Sequence, residues 1–150
     1  MVAHAAVCKK GEISLSDIIK KAKESPEFQK AGAIALFIGV VRGENQKGEK
    51  VQKLKLEAYE EKANEVLTSI CEELKKRDGI TNVQIHHLLG EFSAGEDMVY
   101  VLVGGSHRHN VFPVLQEAVE KYKREAPIFK KEHINTEEGK KDSYWVEEQF

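Results

Sequence analysis

Apolar residues along this chain keep two rhythms, and each change of rhythm marks an element. In SLSDIIKKAKES, residues 14–25, Leu15, Ile18, Ile19 and Ala22 recur at helical spacing behind a serine and an aspartate suited to capping, and Pro26 ends the run. AGAIALFIGVV, residues 31–41, is short, apolar and rich in β-branched residues, which predicts a buried strand. The polar RGENQKGEK that follows, residues 42–50, is expected to be an exposed, mobile loop. VQKLKLEAY, residues 51–59, alternates as a strand with one wet face does. A longer helix comes next, with Ala63, Val66, Leu67, Ile70, Cys71 and Leu74 in a stripe and Asp78-Gly79 as its stop. ITNVQIHHLLG and DMVYVLVGG predict two further strands joined by a turn around Ser93, Ala94 and Gly95. A third helix is expected over about 110–125, with Val111, Leu115, Ala118, Val119 and Tyr122 on one face and Pro113 in its first turn. Beyond Pro127 the chain should run extended through IFKKEHI, loop near Gly139 and finish in SYWVEEQF. Strands and three main helices interleave without strict alternation, so the expected class is α+β with an antiparallel or mixed sheet.

Composition narrows the function classes. A chain of 150 residues with 41% apolar and 32% charged residues makes one domain with a full core, residues 1–150. No stretch approaches the roughly 20 apolar residues of a bilayer span, and in MVAHAAVCKK the charges follow the apolar part, the reverse of a secretory signal. The expected setting is cytoplasmic, with no membrane partner. Cys8 and Cys71 form no CxxC pair, and Cys71 sits in a helical apolar stripe, the place of a core thiol. A net charge of −2 and an isoelectric point near 6.3 argue against a nucleic-acid binder, so any site for anions must be local.

Four local features could carry chemistry. GGSHRHN, residues 104–110, joins a strand to a helix, where glycines allow a tight turn and helix N–H groups attract anions; it reads equally as a solvated turn. Arg42 follows a buried strand directly, either as a ligand or as the point where the chain meets water. In KYKREAPIFKKEH, residues 121–133, Lys121 and Arg124 have i−4 glutamates, Glu117 and Glu120, that explain them as surface charges. Lys123 has Val119 instead, which places it at the edge of the apolar face, partly desolvated and suited to catalytic use. In the extended segment beyond Pro127, Lys130 and Glu132 should share one side and Lys131 the other. The histidines, including His86, His87, His107, His109 and His133, show no zinc-type spacing, and no metal site is assigned.

FIGVVRG, the YE-containing strand and helix, IHHLLGEF, SHRHNVF, KYKREAPIFKKE and the terminal WVE, taken in order from about Ala31 to Val146, resemble the large, catalytic subunits of molybdopterin synthase. The combination of HR with K-x-x-x-P-x-x-K-K-E is more specific than any one piece. The resemblance implies an α/β hammerhead fold and a sulfurtransferase of molybdenum cofactor biosynthesis, needing no metal or other cofactor. Its substrate would be cyclic pyranopterin monophosphate (precursor Z), converted to molybdopterin. The two sulfurs would come from the thiocarboxylated C-terminal Gly-Gly of a small ubiquitin-like partner subunit, within a heterotetramer built on a homodimer. Carried over position by position, the resemblance makes Lys123 and Lys130 catalytic. Lys123 would lie next to the thiocarboxylate carbonyl, and Lys130 would assist proton transfer or charge neutralisation. Phe37, Val40, Val41, Arg42, His107, Arg108, Lys131 and Glu132 would hold substrate and tail. Such a pocket must gather several negative charges, which is why Arg42, His107, Arg108, Lys123 and Lys130 are expected to meet in one cavity.

This chain departs from that pattern in places. Leu88 stands where relatives often carry arginine, Glu148 and Gln149 follow WVE without the arginine many relatives have there, and GKKDSYW is longer than usual. Lys140 or Lys141 is the candidate substitute. The departures keep a second reading open, a non-catalytic module of the same family that binds anions and the partner's tail.

Overall fold

Each glycine or proline at which the apolar rhythm changes becomes an element boundary in the computed structural model, which describes residues 4–135 and 141–146. The elements run β1 (Ala5–Lys9), α1 (Leu15–Glu24), β2 (Ala33–Val40), β3 (Val51–Ala58), α2 (Glu60–Lys75), β4 (Ile80–Phe92), β5 (Asp97–Gly105), α3 (Arg108–Glu125), β6 (Ile128–Asn135) and β7 (Lys141–Val146), with a 3₁₀ turn over Pro26–Lys30. Helix α1 opens on a reciprocal cap. Ser14 Oγ accepts from the Asp17 N–H at 3.2 Å, and Asp17 Oδ2 accepts from the Ser14 N–H at 2.9 Å, so two orphan donors of the first turn are satisfied.

The strands form one sheet in the order β2-β5-β4-β3-β6-β7, antiparallel except for β1, which lies parallel along the middle of β4. Strand β4 is long because it serves two neighbourhoods. Its residues up to His87 pair with β5 and residues 85–89 with β1, whereas Gly90, Glu91 and Phe92 pair with β3. The change of partner falls at Gly90, whose φ of 129° only glycine adopts without strain.

Helices α2 and α3 cover one face, packing Ala63, Leu67, Leu74, Val111, Ala118 and Tyr122 against Val83, Ile85, Val101 and Val103. On the opposite face Ile18 of α1 joins Leu54, Leu56, Leu88, Phe92 and Tyr100. Strand β4 is buried on both sides, and Gln84 ties its neighbours Asn82 and His86 to α1. The Gln84 amide donates to the Ile18 carbonyl at 3.0 Å and to Asn82 Oδ1 at 2.8 Å, and Gln84 Oε1 lies 2.9 Å from His86 Nε2. With the amide nitrogen so committed, Oε1 is an acceptor and His86 carries its proton on Nε2. Burial of that ring lowers its pKa to about 4. Cys71 is a core thiol, as its place in the stripe predicts, and burial pushes its pKa up to about 12.

Two expectations need correction, and two segments hold structure that the sequence did not reveal. The N-terminal segment is a strand, β1, which the alanine-rich AAVCK did not reveal, because its stability comes from the parallel ladder on β4. Helix α3 begins at Arg108, so Pro113 lies inside the helix, beyond the first turn. The expected Glu117–Lys121 pair gives way to bonds between neighbouring helices. Arg77 grips Glu117 with two bonds of 2.9 and 2.8 Å, and Lys121 reaches Glu73 at 3.1 Å. Residues 42–50, expected as an exposed loop, form a turn closed by hydrogen bonds and a bridge between Glu44 and Lys50. The loop near Gly139 and the last four residues lie outside the described residues, as does Lys140.

Candidate active site

A cleft of about 370 Å³ opens where the end of β2, the 42–46 segment, β6, the end of β7 and the last turns of α3 converge. Register explains how each side chain arrives there. Strand β2 pairs with β5 from Ala33 opposite Gly105 to Gly39 opposite Val99, after which Val40 stands opposite Asp97 and Met98 is left as the extra residue of a bulge. A bulge bends its strand and re-aims the side chains beyond it. Gly39 lies so close to the Val99 side chain that a Cβ would collide with it. Val40, 43% exposed, Val41 and Arg42 then lead off the strand along the cleft wall, with Phe37, Ile38 and Met98 beside them.

The opposite wall follows from the period of two. Lys130 and Glu132 stand on the same face of β6, opposite Leu56 and Leu54 of β3, and both reach the cleft. Lys131 points the other way, its ammonium 5.5 Å from the centroid of the Trp145 ring, on a face that also carries Phe129, edge-on to Tyr59 at 5.2 Å. Lys123 enters from the end of α3, where helix geometry sets it one residue past the buried Tyr122. A cation in a last helical turn is favoured by the carbonyl dipoles, so Lys123 and Lys130 can concentrate positive charge at the cleft without opposing the helix that carries one of them.

Of the residues singled out from sequence, the cleft gathers Phe37, Val40, Val41, Arg42, Lys123, Lys130 and Glu132. Lys131, His107 and Arg108 do not line it. The expected single cavity for all five cations therefore does not form within one chain. Lys123 lies fifteen residues along α3 from Arg108, about 22 Å at the rise of an α-helix. At that far end His107 and Arg108 are exposed, and the His107 and His109 rings stack 5.1 Å apart. Leu88 is 4% exposed in the apolar cluster under α1.

Sequence reasoning missed the residues that order the cleft mouth. The Asn45 side chain accepts from the backbone N–H groups of Lys47 at 3.0 Å and Glu49 at 2.8 Å, and donates to Glu49 Oε1 at 3.1 Å and to the Tyr144 hydroxyl at 2.8 Å. Tyr144 in turn donates to Glu132 Oε2 at 3.1 Å. Burial, with the Glu132 carboxylate also adding, raises the pKa of Tyr144, which keeps the phenol protonated. The asparagine before Lys47-Gly48 was a legible turn signal; its partner, nearly a hundred residues away, was not.

Known proteins resemble this chain in sequence and in fold. The model of a family described as MoaE protein matches residues 8–125. A probable molybdopterin synthase of Haloferax volcanii is 36% identical over 135 residues, covering 89% of this chain and 50% of that protein. The molybdopterin synthase catalytic subunit of Pyrococcus abyssi is 37% identical over 116 residues, covering 77% of this chain and 74% of that one. The chain thus spans half of the first relative and about three quarters of the second. Among solved structures, molybdopterin synthase from Staphylococcus aureus superposes with a TM-score of 0.83 at 26% identity, over 97% of this chain and 98% of that one. A complex of subunits 1 and 2 of molybdopterin-converting factor from Helicobacter pylori shares the fold, with a TM-score of 0.70 at 23% identity over 87% and 84% of the two chains.

Proposed function

We propose that this chain, which belongs to the MoaE protein family, is the sulfur-transferring catalytic subunit of a molybdopterin synthase. The observation that carries the reading is the cleft itself, where Arg42, Lys123 and Lys130 come together against an apolar wall of Phe37, Ile38, Val40 and Met98. A phosphate-bearing pterin has a flat ring for the apolar side and an anion for the cations, and a thiocarboxylated peptide tail adds a second anion. Transfer of sulfur turns the thiocarboxylate into a carboxylate and expels oxygen from the pterin, so negative charge develops where Lys123 and Lys130 stand. Lys123 serves the thiocarboxylate carbonyl, and Lys130 neutralises or protonates the departing oxygen. Arg42, with the backbone of Val40 and Val41, holds the tail or the phosphate.

His107 and Arg108 enter through a second copy of the chain. Strand β2 ends the sheet and pairs only with β5 among the described strands, and it exposes Ile38 and Val40 along an apolar edge. Its first residues lie beside the helix start, where Gly32 N–H bonds to the Gly105 carbonyl at 2.8 Å; its last residues are the cleft wall. Two β2 strands pairing antiparallel about a two-fold axis would set the His107–Arg108 end of one copy against the Val40–Arg42 end of the other, twice over. Lys131 with Phe129 and Trp145 belongs to the outer face of β6 and β7 and serves the partner subunit rather than the substrate.

The test is reconstitution. Mixed with a thiocarboxylated small subunit and cyclic pyranopterin monophosphate, the protein should form a dithiolene pterin, and Lys123→Ala should lose nearly all of that activity. Undiminished turnover by the variant would remove Lys123 from the chemistry. Tight binding of the small subunit without product in a single turnover by the wild type would instead favour the binding-module reading, for which the buried Leu88 is the specific sign.

A further inference from the structure

The Asn45–Tyr144–Glu132 chain has a direction fixed by chemistry. Asn45 Oδ1 accepts two backbone N–H groups, so its nitrogen must face Tyr144, and the phenol oxygen must accept there. The phenol proton is then left for Glu132, which accepts it as a carboxylate. Asn45 and Glu132 both line the cleft, whereas Tyr144, which bridges them, does not. The turn that Asn45 organises is closed by Asn45 N–H to the Glu49 carbonyl at 2.9 Å, Gly48 N–H to the Asn45 carbonyl at 3.0 Å and Val51 N–H to the Gly43 carbonyl at 2.9 Å.

We propose that Tyr144 is a positioning residue, whose hydroxyl latches the 43–51 turn to Glu132 on β6 and so sets the shape of the cleft mouth and the orientation of Glu132, one of the two glutamates, with Glu44, that line the cleft. An unfixed carboxylate in a site for anions would swing toward the same lysines the substrate needs. Held by the phenol, Glu132 keeps one oxygen occupied and its charge turned to β7. The latch also accounts for the order of a glycine- and lysine-rich segment that has little apolar packing of its own.

As a role in catalysis this rests on the sulfur-transfer reading; as a latch it does not, and two measurements separate them. Tyr144→Phe removes one oxygen. Amide hydrogen exchange at Asn45, Gly48 and Val51 should quicken about tenfold, the loss expected of one charge-assisted bond, with α2 and β5 unchanged. In the reconstituted synthase KM for the pterin should rise about tenfold while kcat moves less than twofold. Asn45→Ala, which also removes the bonds within the turn, should quicken exchange at least as much, and adding Tyr144→Phe to it should change little further, as groups acting through a shared contact do. Exchange equal to wild type in Tyr144→Phe would overturn the latch, whatever Asn45→Ala does. Quickened exchange with an unchanged KM would overturn its positioning role. A wild type without turnover would sink the sulfur-transfer reading alone, leaving exchange to decide on the latch.

Discussion

The two ends of α3 carry the same kind of residue for opposite reasons. At the C-terminal end Lys123 lies where carbonyl dipoles favour a cation, half-buried in a cleft that its own chain completes with Arg42 and Lys130. At the N-terminal end His107 and Arg108 stand exposed where the dipole disfavours positive charge, with no acidic residue in the first turn to offset them. A lysine at a helix C-terminus has a structural explanation as well as a functional one. Basic residues at an N-terminus lack the structural one, so an incoming anion is what makes sense of them. One end lies in a walled cleft; the other is open, and only the proposed dimer would close it.

The sharpest way to break this contrast is Lys123→Ala, expected to cut turnover about a hundred- to a thousand-fold, as loss of a donor aimed at developing charge does, with little change in melting temperature. Next in size is an acid limit on the whole comparison. His86 has its pKa lowered from 6.5 to about 4 by burial, so the unfolded chain binds the extra proton first. Stability on this account is complete above pH 6.5 and falls as pH drops toward 4, by up to roughly 3 kcal/mol. Denaturant midpoints between pH 7 and 4 measure it, and His86→Gln should flatten the dependence. Arg108→Ala is expected to cost about ten- to a hundred-fold in kcat/KM. Mixed with Lys123→Ala under conditions of subunit exchange, it should recover about a quarter of wild-type activity, because half of the dimers then hold one intact site. No recovery would mean that each chain builds its site alone. The smallest effect belongs to the middle of the helix, where Arg77→Ala breaks the half-exposed clamp to Glu117 and should cost less than about 1 kcal/mol, seen in urea unfolding, with activity intact.

What could be read from sequence was whatever one element decides for itself. The period of two separated Lys130 and Glu132 from Lys131, and the period of 3.6 put Lys123 at the edge of a buried face; both placements hold. Elements whose stability is borrowed escaped. Strand β1 pairs with β4, and the 43–51 turn is bonded through Asn45 to Tyr144 from the far end of the chain. Charge partners were legible only within a helix. Glu117 turned to Arg77 because α2 lies alongside, a fact of packing that no i,i+4 count contains. The spread of the site over two ends of α3 followed from arithmetic available at the outset, since the His107–Arg108 pair and Lys123 were always separated by the length of a helix.

Strand β2 has a further consequence, for the time before the protein is folded. From Ala31 to Val41 the chain carries no charge, and Lys30 and Arg42 bracket it. The ladder mate of Ala33 is Gly105, which a ribosome reaches on the order of ten seconds later. During that interval an uncharged, β-prone stretch is the segment of the nascent chain most apt to self-associate, and flanking cations are the usual guard against it. On the proposed reading Arg42 would answer to two demands at once, solubility at birth and anion capture at maturity, and the first would hold it in place even in a descendant that had lost the chemistry.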